Sequence, residues 1–148
     1  MSEIRARLVE DMKTSMKNKD KNRLSTIRMA LAAFKQKEVD ERVEVTEDDV
    51  INILTKMIKQ RKDSAEQFKR AGREELAQKE LDEIEILQVY LPKPLSEDEI
   101  IEIIQRAILE VGASSVKDMG KIMSAIKAEL NGRADMGKVG SMIKSQLS

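Results

Sequence analysis

The chain has 148 residues, 41% hydrophobic and 36% charged but only 2% aromatic, so a core must be assembled from Ile, Leu, Val, Met and Ala. Its 27 basic and 27 acidic side chains cancel, which excludes a global electrostatic field for nucleic acid or anionic lipid and leaves only local patches for such binding. Cysteine and histidine are absent, which removes disulfides, a thiolate nucleophile, and the commonest metal ligand and general base, so no cofactor, metal site or catalytic residue is expected.

From Ile4, the residues Leu8, Met12 and Met16 recur every fourth position and predict a first amphipathic helix. A second helix carries Leu24, Ile27, Leu31 and Phe34 on one face and fades near Asp40. Glu41 to Val45 alternates like a strand, but no partner run is near, so a loop is expected. Thr46-Glu47-Asp48-Asp49 has the form of a capping box and opens a long third helix with Val50, Ile53, Leu54, Met57, Ile58, Arg61, Ala65 and Phe68 inward. Gly72 ends or bends it, and Leu76, Leu81, Ile84, Leu87 and Leu91 carry a fourth helix towards Pro92 and Pro94.

Those two prolines are the only ones in the chain, and each fixes φ and removes an N–H, so the arriving helix must stop there. Ser96 with Glu99 reads as a second capping box. Beyond it, Ile100, Ile104, Ala107, Ile108 and Val111 form a stripe that ends at Gly112. Ser114 or Ser115 then caps a helix carrying Met119, Ile122, Met123, Ile126 and Leu130, and Asp135 caps a last helix with Val139, Met142, Ile143 and Leu147. The expected fold is all-α: a four-helix unit over residues 1–94 and a three-helix unit over 95–148.

No apolar run approaches the roughly 18 residues of a membrane span, and the amphipathic start does not read as a signal peptide, so a cytoplasmic protein is expected. The methionines Met12, Met16, Met57, Met119, Met123 and Met142 fall on predicted core faces and read as packing, although a Met-lined binding groove is the alternative. Glu74-Glu75 and Asp82-Glu83-Glu85 read as solvated helix faces. Basic residues accumulate along the third helix at Lys56, Lys59, Arg61, Lys62, Lys69, Arg70 and Arg73. That run reads either as a backbone-binding stripe or, preferably, as a face paired with the acidic fourth helix. In the C-terminal unit, Lys121, Lys127, Arg133, Lys138 and Lys144 gather near two helix N-termini, where free N–H groups and the dipole favour phosphate.

Gln60-Arg61-Lys62-Asp63-Ser64, Ala71-Gly72-Arg73, Tyr90-Leu91-Pro92, Asp118 to Met123 and Gly132-Arg133-Ala134-Asp135 together resemble the YqeY family over essentially the whole chain. Through Gly120 to Met123, Gly132 to Asp135 and Val139, the C-terminal part is similar to the tail domain of the GatB subunit of the glutamine-dependent aminoacyl-tRNA amidotransferase, a carbon–nitrogen ligase. The chain departs from the pattern at Met136 and Gly140.

The resemblance implies a tRNA-binding or amidotransferase-associated accessory protein with no active site of its own. Its partners would be tRNA or a protein of the amidotransferase or translation system, with no membrane and no DNA. The candidate nucleic-acid-binding residues are Lys121, Arg133 and Lys138, together with the helix N-terminus after Asp135. A protein-interaction adaptor built on the small C-terminal bundle is the alternative.

Overall fold

The computed structural model describes residues 2–147, and among them the chain is all-α, with seven α-helices and no strand. Its described residues divide into two compact units, Met1–Leu91 and Pro92–Ser148. The first contains α1 (Glu3–Lys17), α2 (Lys21–Glu41), α3 (Glu47–Arg70) and α4 (Glu74–Gln88). The second contains α5 (Glu97–Val111), a 3₁₀ turn (Val116–Asp118), α6 (Met119–Leu130) and α7 (Met136–Leu147).

In the first unit α2 packs against α1, α3 and α4, which is why its apolar residues do not keep to one narrow stripe. Ile27, Ala30, Phe34 and even Thr26 are buried on it. Thr26 is tolerated there because its hydroxyl donates to the Asn22 carbonyl at 2.9 Å, leaving no orphan polar group. The Glu41 to Val45 segment is loop from Arg42 onward, and Val45 turns inward. Its N–H donates to Glu38 at 3.1 Å, beside the two Arg5 N–H groups that reach the same carboxylate at 2.9 Å. The Arg5 hydrogen bonds first, then the Val45 amide, hold the Glu38 carboxyl at about 2, well below the usual carboxylate range.

Helix α4 packs most extensively on α3. Here two sequence expectations change. Leu76 is exposed, and the buried face runs through Ala77, Ile84 and Leu87 instead. Glu83, expected on a solvated face, is buried and accepts from Arg61 Nε at 3.0 Å. Arg61 Nη1 also donates to the Met57 carbonyl at 3.2 Å, so the guanidinium is satisfied from its own helix and from α4 together. Met16, expected in the core, is about half exposed. At the end of α4 the N–H groups of Tyr90 and Leu91 make turn bonds to Leu87 and Gln88. The helix therefore stops before the prolines, while the buried Tyr90 donates its hydroxyl to Asp11 on α1.

The second unit is built on Ile100, Ile104 and Ala107 of α5, Ile122, Ile126 and Leu130 of α6, and Val139 and Ile143 of α7. Its first helix opens on the Ser96–Glu99 capping box: Glu99 N–H donates to the Ser96 hydroxyl at 3.1 Å and Ser96 N–H to Glu99 at 3.2 Å. It ends at Gly112, whose φ of 72° lies in the left-handed region that glycine enters without steric cost. Ser96→Ala should lower stability by about 1 kcal/mol, with the loss of amide-exchange protection confined to the first turn of α5. An unchanged denaturation midpoint would show that the cap contributes nothing.

Candidate nucleic-acid interface

Lys121 and Lys138 occupy corresponding places, each the third residue of its helix, α6 and α7. Both are exposed. Arg133 lies in the turn between those helices and is half-buried, because it has a structural task. Its Nε donates to the Lys93 carbonyl at 2.9 Å, and its own carbonyl accepts from Leu95 N–H at 2.8 Å. The segment before α5 is thus clasped to the α6–α7 turn. The sequence placed Lys127 and Lys144 near the two N-termini as well, but they stand in the last turns of α6 and α7, where a cation complements the C-terminal end of the dipole.

The start of α7 is occupied from within. Asp135 accepts from Gly137 N–H at 2.9 Å and from Lys138 N–H at 3.4 Å, so the anion at the N-terminus of α7 is the chain's own carboxylate. Asp118 likewise accepts from Ser114 N–H at 3.0 Å and Ser115 N–H at 3.4 Å, ahead of α6. These backbone bonds are the main reason its carboxyl is held below the usual range. Lys121 approaches the other oxygen of Asp118 only to 3.9 Å, a weak contact for a side chain so exposed. Next to it, a Cβ added at Gly120 would meet no atom within 4 Å, so the first turn of α6 offers bare backbone to an incoming group.

The charges along this stretch are uneven. Between residues 116 and 148 the cations are Lys117, Lys121, Lys127, Arg133, Lys138 and Lys144, against Asp118, Glu129 and Asp135. Two of those three carboxylates face backbone amides. The third, Glu129, is held by Arg106 of α5, one Nη lying 2.7 Å from each of its oxygens. That pair spans 23 positions, so no local pattern in the sequence announces it.

Nothing in the described residues forms a metal-ligating cluster. A concavity of about 680 Å³ between α2 and α4, lined by residues such as Asp20, Arg23, Asp82 and Glu85, is open to solvent and contains none of the candidate residues.

A family model described as Yqey-like protein matches residues 5–147. Among curated relatives, "Altered inheritance of mitochondria protein 41, mitochondrial" of Pyrenophora tritici-repentis is 34% identical over 126 residues, covering 82% of this chain and 70% of that protein. The protein of the same name in Clavispora lusitaniae is 34% identical over 123 residues, 81% of this chain and 72% of its own length. The one in Kluyveromyces lactis is 41% identical over 86 residues, 57% of this chain, and the match spans only 46% of that protein. These names overturn the cytoplasmic expectation, because the relatives are named as mitochondrial proteins. That expectation rested on the lack of a long apolar run. No helix among the described residues is long and apolar enough to cross a membrane, but this property does not separate one aqueous compartment from another.

Proposed function

The chain belongs to the YqeY-like family, and from that premise we propose that it is a non-catalytic accessory protein that binds tRNA through its C-terminal unit. In keeping with its named relatives, we place it in mitochondria. The observation that supports the reading is the disposition of charge from residue 116 onward. The carboxylates there are turned onto backbone amides or held by Arg106, while Lys121 and Lys138 extend into solvent from matching positions on α6 and α7. The cations therefore dominate what an approaching phosphate meets.

Asp135 already fills the amides of α7, so the contacts proposed are the side chains of Lys121 and Lys138, with Arg133 adding its remaining N–H groups from the turn. With only 2% aromatic residues there is little to stack on unpaired bases. Recognition then rests on backbone shape and charge and depends steeply on salt.

Three phosphate contacts would give a log–log salt slope of about −2 to −3, and an affinity loss of about 20- to 40-fold between 50 and 200 mM salt. Titration with tRNA at those two concentrations tests this. Changing Lys121, Arg133 and Lys138 together to Ala should flatten the slope by about 0.7–0.9 for each contact removed. Because Arg133 also clasps Lys93, the double variant Lys121→Ala, Lys138→Ala separates charge from folding, and it should still remove two such steps. Binding by the intact protein that ignores salt, or variants that bind as well as the parent, would refute the site and favour a protein-interaction adaptor.

A further inference from the structure

We propose that the solvent face of α3, in the N-terminal unit, is a second surface for the phosphate backbone of RNA, formed by Lys56, Lys59, Lys62 and Lys69. The surface stands on its own geometry; only the choice of RNA as the polyanion rests on the function proposed above.

Helix α3 buries Val50, Ile51, Leu54, Met57, Ile58, Arg61 and Ala65. The four lysines are all exposed. The sequence offered two readings for this run, and preferred the one in which acidic residues of α4 neutralise it. The structure bears that reading out for Arg61 alone. The single ion pair between α3 and α4 among the described residues is Arg61 with Glu83, and it is buried beneath the surface. Asp82 accepts instead from Gln78 of its own helix at 2.8 Å. Glu66, the acid nearest in sequence to Lys69, is taken by Arg70 at 2.5 Å. None of Lys56, Lys59, Lys62 and Lys69 pairs with a carboxylate among the described residues. From Lys56 to Arg70 the only exposed acids of α3 are Asp63 and the already paired Glu66, and Lys56 alone also lines a concavity with Asp40 and Glu41 of α2, so the helix face is locally cationic in a chain of zero formal net charge.

The shape of this surface selects the partner. From Lys56 to Lys69 the row extends for about 20 Å at 1.5 Å per residue. The exposed large apolar side chains of the N-terminal unit are Met16, Met29, Val39, Val43, Leu76 and Val89, and none lies on α3. The row thus lacks the apolar component that would insert into a lipid interface, and the apolar anchors that form the centre of a protein interface. An extended, exposed row in which cations outnumber carboxylates matches a polyelectrolyte backbone, whose binding free energy comes largely from released counterions.

The test uses the full chain and unfractionated tRNA at 50 and 200 mM salt. One variant carries Lys56→Gln, Lys59→Gln, Lys62→Gln and Lys69→Gln, which removes the charges and keeps the helix propensity. A control of equal charge change carries Lys13→Gln, Lys17→Gln, Lys21→Gln and Lys79→Gln, on α1, α2 and α4. The α3 variant should flatten the salt slope by about 0.7–0.9 for each lysine in contact, about 3 if all four are engaged. Its binding at 50 mM salt should fall at least tenfold, while the control changes little and both melt as the parent does. Equal effects in the two variants would overturn the row, as would parental binding by the α3 variant. If the α3 variant loses binding while the Lys121, Arg133 and Lys138 variant does not, the row stands and the C-terminal reading falls. The converse removes the row alone. An intact protein without salt-sensitive tRNA binding overturns both.

Discussion

Glu83→Ala should destabilise the N-terminal unit by about 3–5 kcal/mol, the cost of leaving a buried guanidinium without its counter-charge. Both partners are only 8% exposed, and Arg61 reaches Glu83 through Nε at 3.0 Å while Nη1 is bound to the Met57 carbonyl. With the carboxylate gone, the charge cannot swing to water without breaking that second bond and opening the α3–α4 contact. The double change Arg61→Met, Glu83→Leu should recover most of the loss, or exceed the parent, because it removes the desolvation of both ions together. Urea denaturation of the two variants decides the matter. A loss below about 1 kcal/mol for Glu83→Ala would place the pair among solvent-screened surface bridges.

Phe34→Ala is expected to cost about 3–5 kcal/mol as well, but through volume rather than charge. Phe34 is fully buried on α2, in a core otherwise made almost entirely of aliphatic side chains. Its neighbours are anchored on separate helices, and a cavity there does not collapse readily. The Arg5 guanidinium, 6.0 Å from the ring centroid, would lose a cation–π contact worth about 0.5–1 kcal/mol. A denaturation midpoint close to the parent's would mean that α1 and α3 close the gap.

The helices were legible because their signals are local. Thr46 with Asp49 and Ser96 with Glu99 are reciprocal caps three residues apart, and both form. The core faces of α5, α6 and α7 follow from their spacing, and Ile104, Ile122 and Ile143 are fully buried as that spacing requires. What could not be read involves pairing across helices. Arg61 lies on the apolar face in the sequence, but its partner Glu83 is 22 positions away and sits among other acids that stay at least partly exposed. Leu76 misled for a related reason: near the start of α4 its spacing fits a stripe, whereas Ala77 is the residue that reaches the core. At the candidate interface the sequence identified Lys121, Arg133 and Lys138 by charge alone. It did not reveal that Arg133 is drawn back onto Lys93, since a hydrogen bond to a carbonyl 40 positions away leaves no trace in residue type.

That clasp has a consequence for how the C-terminal unit opens. Joining Lys93 and Leu95 to Arg133 closes a ring of about 40 residues that contains α5 and α6. The entropy of closing a flexible loop of that size is about 3 kcal/mol before any constant term. Two hydrogen bonds contribute roughly 0.5–1.5 kcal/mol each, so they do not hold the ring shut unaided. Closure is carried by Ile100, Ile104, Ile122, Ile126 and Leu130 packed inside it, and the clasp fixes the register of the entry segment on a ring the core has already drawn together. The stretch from Pro92 to Leu95 is accordingly expected to open ahead of α5 and α6, which would free the Arg133 guanidinium from the Lys93 carbonyl.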